Sequence, residues 1–371
     1  MAKFRRAAAA VSLLALTAAV AAGCGSSGGN AATASSGGGG GGPKIALLLP
    51  ENQTPRYEAH DRPDFTKRVK QLCTNCKVVY ENANGDATQQ QSEAEAVLAQ
   101  GVKVLVLDAV DAGSAASIVA NANAKHIPVI SYDRLITNSD VAYYVSFDNM
   151  RVGRLQGQSL VAKLKAIGKP HGPIIMLNGD PADNNAHLFK NGANSVFKAD
   201  GVKVARAFDT PGYSGDQAET EAQQAITALG PNGFAAIYGA NDDIAGGGIT
   251  AMKSAGIKPS TRPTTGQDAT VAGIQRILTG DQYMTVYKAV TKEARAAAEL
   301  AVPLAHGNKP PASLINAHQN NGKTSVPSVL LTPVAVTRKN VKSTVIKDRY
   351  DTAAQVCTSA FKAACDAAGI H

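Results

Sequence analysis

The stretch "VKVLVLDAVDAGSAASIVANANAKHIPVISYDRLI", residues 102–136, determines the fold class. Two apolar runs, 102–108 and 128–132, flank a helical pattern over 113–124. A nearly continuous apolar run is typical of a strand that is buried on both faces of a parallel sheet, and the helix between the runs has the length of a crossover. The segment therefore predicts a strand–helix–strand unit of a parallel α/β sheet.

The same alternation continues on both sides of this unit. Further strands are predicted at 44–49, 77–81, 141–147, 172–178, 202–208, 234–240 and 262–268. Further helices are predicted at 86–100, 184–199, 214–229 and 242–255. A chain of 371 residues is long enough for two domains of ordinary size. The pattern predicts an α/β protein with two doubly wound parallel-sheet lobes.

The N-terminal segment has the features of an export signal. Three basic residues precede a small-residue apolar stretch over 7–22, which is too short for a comfortable membrane span. The ending "AAGC" resembles a bacterial lipobox and predicts a lipoprotein signal peptide over 1–24, with lipidation at Cys24. Ordinary cleavage near an A-x-A site is the alternative. Residues 25–43 are rich in Gly and Ser and predict a flexible tether.

Charge and export together limit the classes of partner. The formal net charge is +8, but the basic residues are scattered and no aromatic residues are interleaved with them. This pattern gives little support to nucleic-acid binding. The sequence instead predicts a soluble body that is held by a lipid at the outer face of the bacterial cytoplasmic membrane.

Four cysteines beyond Cys24 fall into two local pairs. Cys73 and Cys76 form a CxxC motif, and Cys357 lies eight residues before Cys365. In an exported protein such pairs favour disulfides. The alternative for the first pair is a redox or zinc CxxC, but there is no second CxxC and no pair of histidines at ligand spacing. We expect two structural disulfides, no metal and no cofactor.

Polar side chains follow the predicted strands at their carboxyl ends, where open parallel sheets bind ligands. These residues are mainly carboxylates, short amides and fixed cations. They are Arg56, Tyr57, Asp133, Arg134, Asp183, Asn185, Asn241, Asp268 and Lys288. Carboxylates and amides accept hydrogen bonds from sugar hydroxyls, Arg and Lys donate to them, and aromatic rings cover the C–H faces of a sugar. Tyr57 and Tyr213 are the candidate ring platforms.

Simpler interpretations exist for single members of this set. Asp133 and Arg134 could form a solvated salt bridge with each other, and Asn241 and the segment 183–185 could only cap helices. No phosphate-binding glycine loop, HExxH or GxSxG motif is present. Paired carboxylates leave a glycosidase open as an alternative, but we expect a binding protein and not an enzyme.

Several motifs together resemble one family. They are "KIALLLP", "SYDRLI", "YYVSFDN", "DPADNNAHLF", "GANDDIAGG", "TGQDATVAGIQRILTGDQYMTVYK" and "NNGKTSVPSVLLTPVAVTRKNVKSTVI". In this order and spacing they resemble the periplasmic-binding-protein type 1 family, and among its members the D-xylose-binding proteins of ABC importers. The likeness covers about residues 44–350.

The resemblance implies a three-segment hinge between two lobes that close on a sugar. It places the N-terminal lobe at 44–146 and 287–331, and the C-terminal lobe at 147–286 and 332–371. It also implies that a monomer, with no cofactor, delivers a monosaccharide to an ABC transporter permease. A sugar sensor that presents another pentose or a hexose to a membrane receptor is the alternative. A sugar-responsive transcription regulator would need an N-terminal helix-turn-helix, which residues 1–43 do not provide.

The resemblance also assigns site residues by motif. It implies sugar contacts from an Arg-aromatic pair (Arg56, Tyr57), an Asp-Arg pair (Asp133, Arg134) and five further motif positions. Those five are Asp183, Asn185, Asn241, Asp268 and Lys288. Tyr213 follows "TPG", where xylose binders usually have Trp, and Tyr57 also replaces a usual Trp. Phenol rings cover less of a sugar than indole rings do, so the sequence weakens the choice of xylose over other sugars.

Overall fold

A computed structural model describes residues 41–371. The predicted signal peptide, the lipidation site Cys24 and most of the predicted tether lie outside the described residues. Within 41–371, no helix combines the length and the apolar character needed to cross a bilayer.

Twelve strands are assigned in this part of the chain. They are β1 Lys44–Leu49, β2 Lys77–Asn82, β3 Val104–Leu107, β4 Val129–Tyr132, β5 Tyr143–Phe147, β6 Ile174–Asn178, β7 Val204–Asp209, β8 Ala236–Gly239, β9 Met284–Tyr287, β10 Ala317–Asn320, β11 Ser325–Leu331 and β12 Val334–Thr337.

Eleven α-helices accompany these strands within 41–371. They are α1 Arg62–Leu72, α2 Ala87–Ala99, α3 Ala116–Ala124, α4 Asn149–Ala166, α5 Asn184–Ala199, α6 Gly215–Leu229, α7 Asp242–Ser254, α8 Val271–Thr279, α9 Val290–Ala305, α10 Ala353–Val356 and α11 Lys362–Asp366. One short π-helical turn precedes α1 at Tyr57–Asp61, and another lies at Lys342–Ile346.

The first lobe is built on a seven-stranded sheet in the order β10-β11-β5-β4-β3-β1-β2. Its neighbouring strands are parallel, except for the antiparallel pair β10 and β11 at one edge. One apolar cluster lies on each face of the sheet. Ile45–Leu49 of β1 are fully buried because both faces are covered. The apolar runs of this half therefore form strands as predicted.

The second lobe contains the parallel strands β7-β6-β8 and an antiparallel pair, β9 and β12. The predicted strand at 262–268 is wrong, because the structure has only an isolated bridge between Ile237 and Thr264 there. This extended segment lies between β8 and β9, and side chains replace part of its ladder. The Thr265 hydroxyl bonds both the N–H and the carbonyl of Gly239 at 3.1 Å.

The chain passes between the two lobes three times. The passages follow β5, β9 and β11, and they lead into α4, α9 and β12 respectively. Helix α9 packs against α1 and the first sheet, so the chain returns to the first lobe after β9. The two lobes joined in this way have the periplasmic-binding-protein type 1 architecture. The lobe boundaries given above stay a prediction.

Both predicted cysteine pairs are disulfides. Cys73–Cys76 follows the end of α1, and Cys357–Cys365 links α10 to α11. The second bridge belongs to an apolar cluster that joins the C-terminal segment to α8 and β9.

Candidate functional site

The carboxyl ends of strands from both lobes surround one small cavity, which we call the interlobe cavity. All ten residues chosen from the sequence line it, together with Thr54, Phe189 and Gln267. The ten are Arg56, Tyr57, Asp133, Arg134, Asp183, Asn185, Tyr213, Asn241, Asp268 and Lys288. Each of them is at most 5% exposed.

Arg56 is the most heavily paired cation of the cavity. Its guanidinium donates to Asp61 at 2.7 and 3.0 Å, to Asp133 at 3.0 Å and to Glu293 at 2.9 Å. Burial alone would lower the pKa of Arg56, but the three carboxylates outweigh burial and raise it well above its usual value. Arg56 is therefore a fixed positive charge in the wall of the first lobe.

Asp133 and Arg134 point to different partners. Asp133 Oδ2 accepts from Arg56, while Arg134 Nε lies 3.5 Å from both Asp108 Oδ1 and Asp183 Oδ2. The structure therefore contradicts a solvated salt bridge between the two neighbours. Burial raises the pKa of Asp133, but Arg56, Lys288 and Arg134 reverse the effect, and its net pKa is lowered.

The backbone of Asp133 is unusual for a residue with a side chain. Its φ of 53° lies in the left-handed region, which costs a non-glycine residue energy. Its N–H donates to the carbonyl of Val145 at 2.8 Å, and its own carbonyl accepts from Tyr144 and Asn185 at 3.0 and 2.9 Å. These bonds hold the carboxylate at the end of β4, where it faces the cavity.

Lys288 and Asp268 form an ion pair where the chain returns from the second lobe to the first, after β9. Their Nζ and Oδ1 atoms lie 3.1 Å apart, and both side chains are nearly fully buried. Burial lowers the pKa of Lys288, but Asp268 and Asp133 outweigh it and raise the net pKa. The Lys288 ammonium also lies 5.8 and 5.9 Å from the rings of Phe189 and Phe147. Asp268, like Asp133, has a positive φ, here 87°.

Tyr213 and Asp183 form another buried pair. The Tyr213 hydroxyl donates to Asp183 Oδ2 at 2.6 Å, and Asp183 Oδ1 accepts from the N–H of Asn185 at the start of α5. Burial raises the pKa of Asp183, and Arg134 and Tyr213 offset only part of this effect. The Arg134 guanidinium lies 5.8 Å from the centre of the Tyr213 ring, so this phenol contacts a cation as well as an acid.

Two residues of the cavity wall, Asp183 and Asn241, also cap helices, as the simpler interpretation of the sequence proposed. Asp183 caps α5, and Asn241 Oδ1 caps α7 by accepting from the N–H of Ile244 at 3.0 Å. Both residues nevertheless line the cavity. Helix capping and a position in the cavity are therefore compatible at these strand ends.

Several buried polar atoms at the cavity lack a hydrogen-bond partner among residues 41–371. They are Arg134 Nε, Gln267 Oε1 and Asp268 Oδ1 in the cavity wall, and Asp108 Oδ1 and Oδ2 behind Arg134. The ion pairs of Arg134 and Asp268 are close in distance but do not have hydrogen-bond geometry. Unpaired buried acceptors and donors are costly. A ligand with several hydroxyl groups could satisfy both the acceptors and the donor.

The cavity itself is narrow. Its volume is about 20 Å³, which is room for about one water molecule. Contacts across the cavity include the bond from Asn185 Nδ2 to the Asp133 carbonyl and the approach of Arg134 to Asp183. A larger ligand therefore requires these cross-lobe contacts to separate.

Sequence reasoning did not select the carboxylates behind Arg56. Glu293 lies on the buried, alanine-rich face of α9, and Asp61 lies in the π-helical turn before α1. The sequence did contain one indication that Glu293 is buried. It precedes the buried Ala297 by one helical turn, so the two residues share a face of α9. Phe189 and Thr54 had no comparable signal.

Comparisons with known proteins agree with this geometry. A model of the periplasmic binding protein domain matches residues 45–309. The D-xylose-binding periplasmic proteins of Escherichia coli and Haemophilus influenzae are each 38% identical, over 83% of this chain and 90% of theirs. A solute-binding protein of Clostridium phytofermentans, solved with β-D-glucose, superimposes with a TM-score of 0.77 at 30% identity, over 84% of this chain and 99% of that one.

Proposed function

The chain belongs to the periplasmic binding protein family. We propose that it is an extracytoplasmic receptor for a monosaccharide, and that this monosaccharide is D-xylose. The two lobes close on the sugar, and the closed form delivers it to the permease of an ABC importer. No covalent chemistry takes part in this cycle. The architecture shared with the family and the sugars for which its relatives are named support the proposal.

One observation carries the sugar-binding proposal. Side chains from seven separate strand ends or loops meet at one buried cavity, and they combine carboxylates, amides, fixed cations and aromatic rings. A sugar hydroxyl is both a donor and an acceptor, so it can accept from Arg134 while it donates to Asp268 or Gln267. Charge-assisted bonds of this kind are shorter and stronger than neutral ones.

The choice of D-xylose rests on the curated relatives. Two proteins that share 38% identity are named for D-xylose, whereas the solved relative with glucose is 30% identical. Tyr57 and Tyr213 supply the aromatic surface, and both are buried in the cavity wall. A hexose is the competing ligand, because it adds one hydroxymethyl group to the same ring.

Closure of the lobes follows from the size of the cavity. A space of about 20 Å³ is far below the 300–1,000 Å³ range, roughly, of small-molecule sites. Binding must therefore begin from a more open arrangement, and the sugar replaces direct contacts such as Asn185 to Asp133. Binding that selects one of two lobe arrangements gives the permease a way to recognise the loaded form.

Isothermal titration calorimetry with xylose, ribose, arabinose, glucose and galactose tests the proposal. We expect D-xylose to bind most tightly, with a Kd well below about 1 mM, which corresponds to about 4 kcal/mol. Failure of all five sugars to bind more tightly than this would contradict capture for import. Tighter binding of glucose would leave the receptor role in place and change the sugar.

Delivery and anchoring need separate tests. Sugar-loaded protein should stimulate ATP hydrolysis by the reconstituted importer, whereas a sensor would leave it unchanged. We also propose that Cys24 carries the lipid that holds the protein at the membrane. Mass spectrometry of the membrane-extracted protein should therefore show a lipid mass on Cys24, and a mature chain with an unmodified Cys24 would exclude the anchor.

A further inference from the structure

A cluster of two sulfurs and an imidazole lies at the ends of α1 and α9, and none of its residues lines the interlobe cavity. His306 Nε2 is 3.5 Å from Cys73 Sγ and 3.9 Å from Cys76 Sγ. Within residues 41–371, these three residues are the one group of His, Cys, Asp or Glu side chains close enough to share a metal ion. The cysteines are 230 residues or more from His306 in sequence, so spacing alone does not reveal the cluster.

The two distances to His306 match those of a tetrahedral metal site. Zinc lies about 2.3 Å from a cysteine sulfur and about 2.0–2.1 Å from a histidine nitrogen, so two such ligands are about 3.6 Å apart at a tetrahedral angle. In the oxidised chain the imidazole thus stands at the required separation from Cys73 Sγ and within a few tenths of an ångström of it from Cys76 Sγ. The two bonded sulfurs must move apart after reduction before both can bind one ion. Sulfur and imidazole ligands together suit Zn²⁺ and other soft or borderline ions.

Two of the three ligands directly follow the ends of two packed helices. Cys73 follows α1 directly and its N–H bonds the carbonyl of Val69, while His306 follows the last residue of α9. The helices pack closely against each other. Two polar contacts fix their register, Arg68 to Glu299 at 2.6 Å and Thr291 to Asp64 at 2.6 Å. Cys73 and His306 therefore stand directly at the ends of two packed helices, and Cys76 lies in the short turn between α1 and β2.

We propose that Cys73, Cys76 and His306 bind a soft or borderline divalent cation, such as Zn²⁺, when the Cys73–Cys76 disulfide is reduced. In this step a dithiol reductant transfers two electrons and two protons to the S–S bond and becomes a disulfide itself. The two new thiols then lose their protons as the ion binds both thiolates and His306 Nε2. The two cysteines are buried and His306 is exposed, so one side of the bound ion would face solvent. The fourth ligand would then be a water molecule or Asn75, whose Oδ1 is 3.1 Å from Cys73 Sγ.

The second disulfide provides a control within the same chain. Cys357 and Cys365 are also bonded, but they belong to no comparable ligand group among the described residues. If any reduced cysteine pair bound metal, both pairs would do so equally. The imidazole beside the first pair predicts that only Cys73 and Cys76 form the site.

Cobalt titration tests the site. The full-length mature chain is reduced anaerobically with dithiothreitol, freed of reductant and titrated with Co²⁺. We expect one Co²⁺ per chain with a sulfur-to-cobalt charge-transfer band, and no such band for the oxidised chain. Cys73→Ser combined with Cys76→Ser should abolish the band, and Cys357→Ser combined with Cys365→Ser should retain it.

His306 is the discriminating residue, because its side chain is exposed and its replacement leaves the core intact. His306→Ala should weaken Co²⁺ binding at least about tenfold, since loss of even an indirect metal partner costs 10–100-fold, roughly. An unchanged affinity in His306→Ala, or a band that survives loss of Cys73 and Cys76, would overturn the proposal. Loss of the far-UV circular dichroism on reduction would also overturn it, because the site requires the folded pair of helices.

Discussion

Lys288 and Asp268 are twenty residues apart, and they meet as a buried ion pair with 3.1 Å between Nζ and Oδ1. The pair lies where β9 ends and the chain returns to the first lobe. Because the contact lacks hydrogen-bond geometry, Asp268 Oδ1 still has no hydrogen-bond donor within residues 41–371. Asp268 Oδ1 is therefore placed to accept from a sugar hydroxyl while its ion pair with Lys288 stays in place.

Asp268→Ala should weaken sugar binding for this reason. Removal of the acceptor leaves a buried sugar hydroxyl unpaired, at a cost of about 1–3 kcal/mol. Calorimetric titration measures the change. Asp140→Ala is the matched control, because Asp140 also pairs with a lysine, Lys323, at 2.6 Å, but both side chains are about half exposed. Equal affinity of Asp268→Ala and the wild type would remove Asp268 from the proposed site.

Arg56 and Glu293 should differ sharply in their effect on stability. Arg56→Met leaves Asp61, Asp133 and Glu293 buried without their shared cation, so we expect a loss of about 3–5 kcal/mol in the free energy of unfolding. Burial, with repulsion from Asp133, raises the pKa of Glu293 well above its usual value. A neutral side chain is therefore well tolerated at this position.

Glu293→Gln should accordingly cost less than about 1 kcal/mol, because its amide oxygen still accepts from Arg56. Urea denaturation of both variants without sugar measures the difference. Similar losses in the two variants would show that the stability of the cluster depends on the negative charge of Glu293.

The sequence predicts the strands well where apolar runs decide them. The predicted bounds of β1 and α5 match the structure, since each is delimited by a local signal, an apolar run or an Asp cap. The segment 262–268 shows the limit of this reasoning. It is extended, but the side chain of Gln156 donates to the carbonyls of Gly239, Ala240 and Gly266 at 3.0–3.1 Å. The backbone of this segment bonds first to Ile237 of β8 and then to Val286 of β9, so it forms no continuous ladder with either strand.

The sequence predicts which residues line the cavity, but it does not predict which of their side chains form ion pairs. Carboxyl ends of parallel strands converge, so a list of polar strand ends leads to the residues of one cavity. Which cation meets which acid depends on side chains that come from other elements. Arg134 turns away from its neighbour Asp133 because Asp108 and Asp183 lie on its other side. Partners this distant in sequence, like His306 beside the CxxC motif, leave no local pattern.

Gly179 should affect the site without lining the cavity. A Cβ at this position would lie 2.4 Å from Cε1 of Tyr213, inside van der Waals contact. Gly179→Ala therefore displaces the ring and breaks its bond to Asp183. We expect sugar affinity to fall by about 1.5–3 kcal/mol, the value of a hydrogen bond to a charged group. Gly113→Ala is the control, since its Cβ would have only a 3.5 Å contact; equal titration curves for the two variants would contradict the prediction.

Asp243 should make the stability of the sugar-free protein depend on pH. Burial, with repulsion from Asp242 and Asp268, raises the pKa of Asp243 to about 7. An acid with a higher pKa in the folded chain binds more protons when folded, so it lowers the free energy of unfolding as pH rises from its unfolded value of about 4 towards 7. Asp243→Asn removes this contribution. The variant should therefore lose less stability than the wild type between about pH 5 and about pH 8, measured by urea denaturation.

Asp216→Asn, at an exposed position in the first turn of α6, should follow the wild type. Parallel curves for Asp243→Asn and the wild type would show that Asp243 does not bind an extra proton in the folded state.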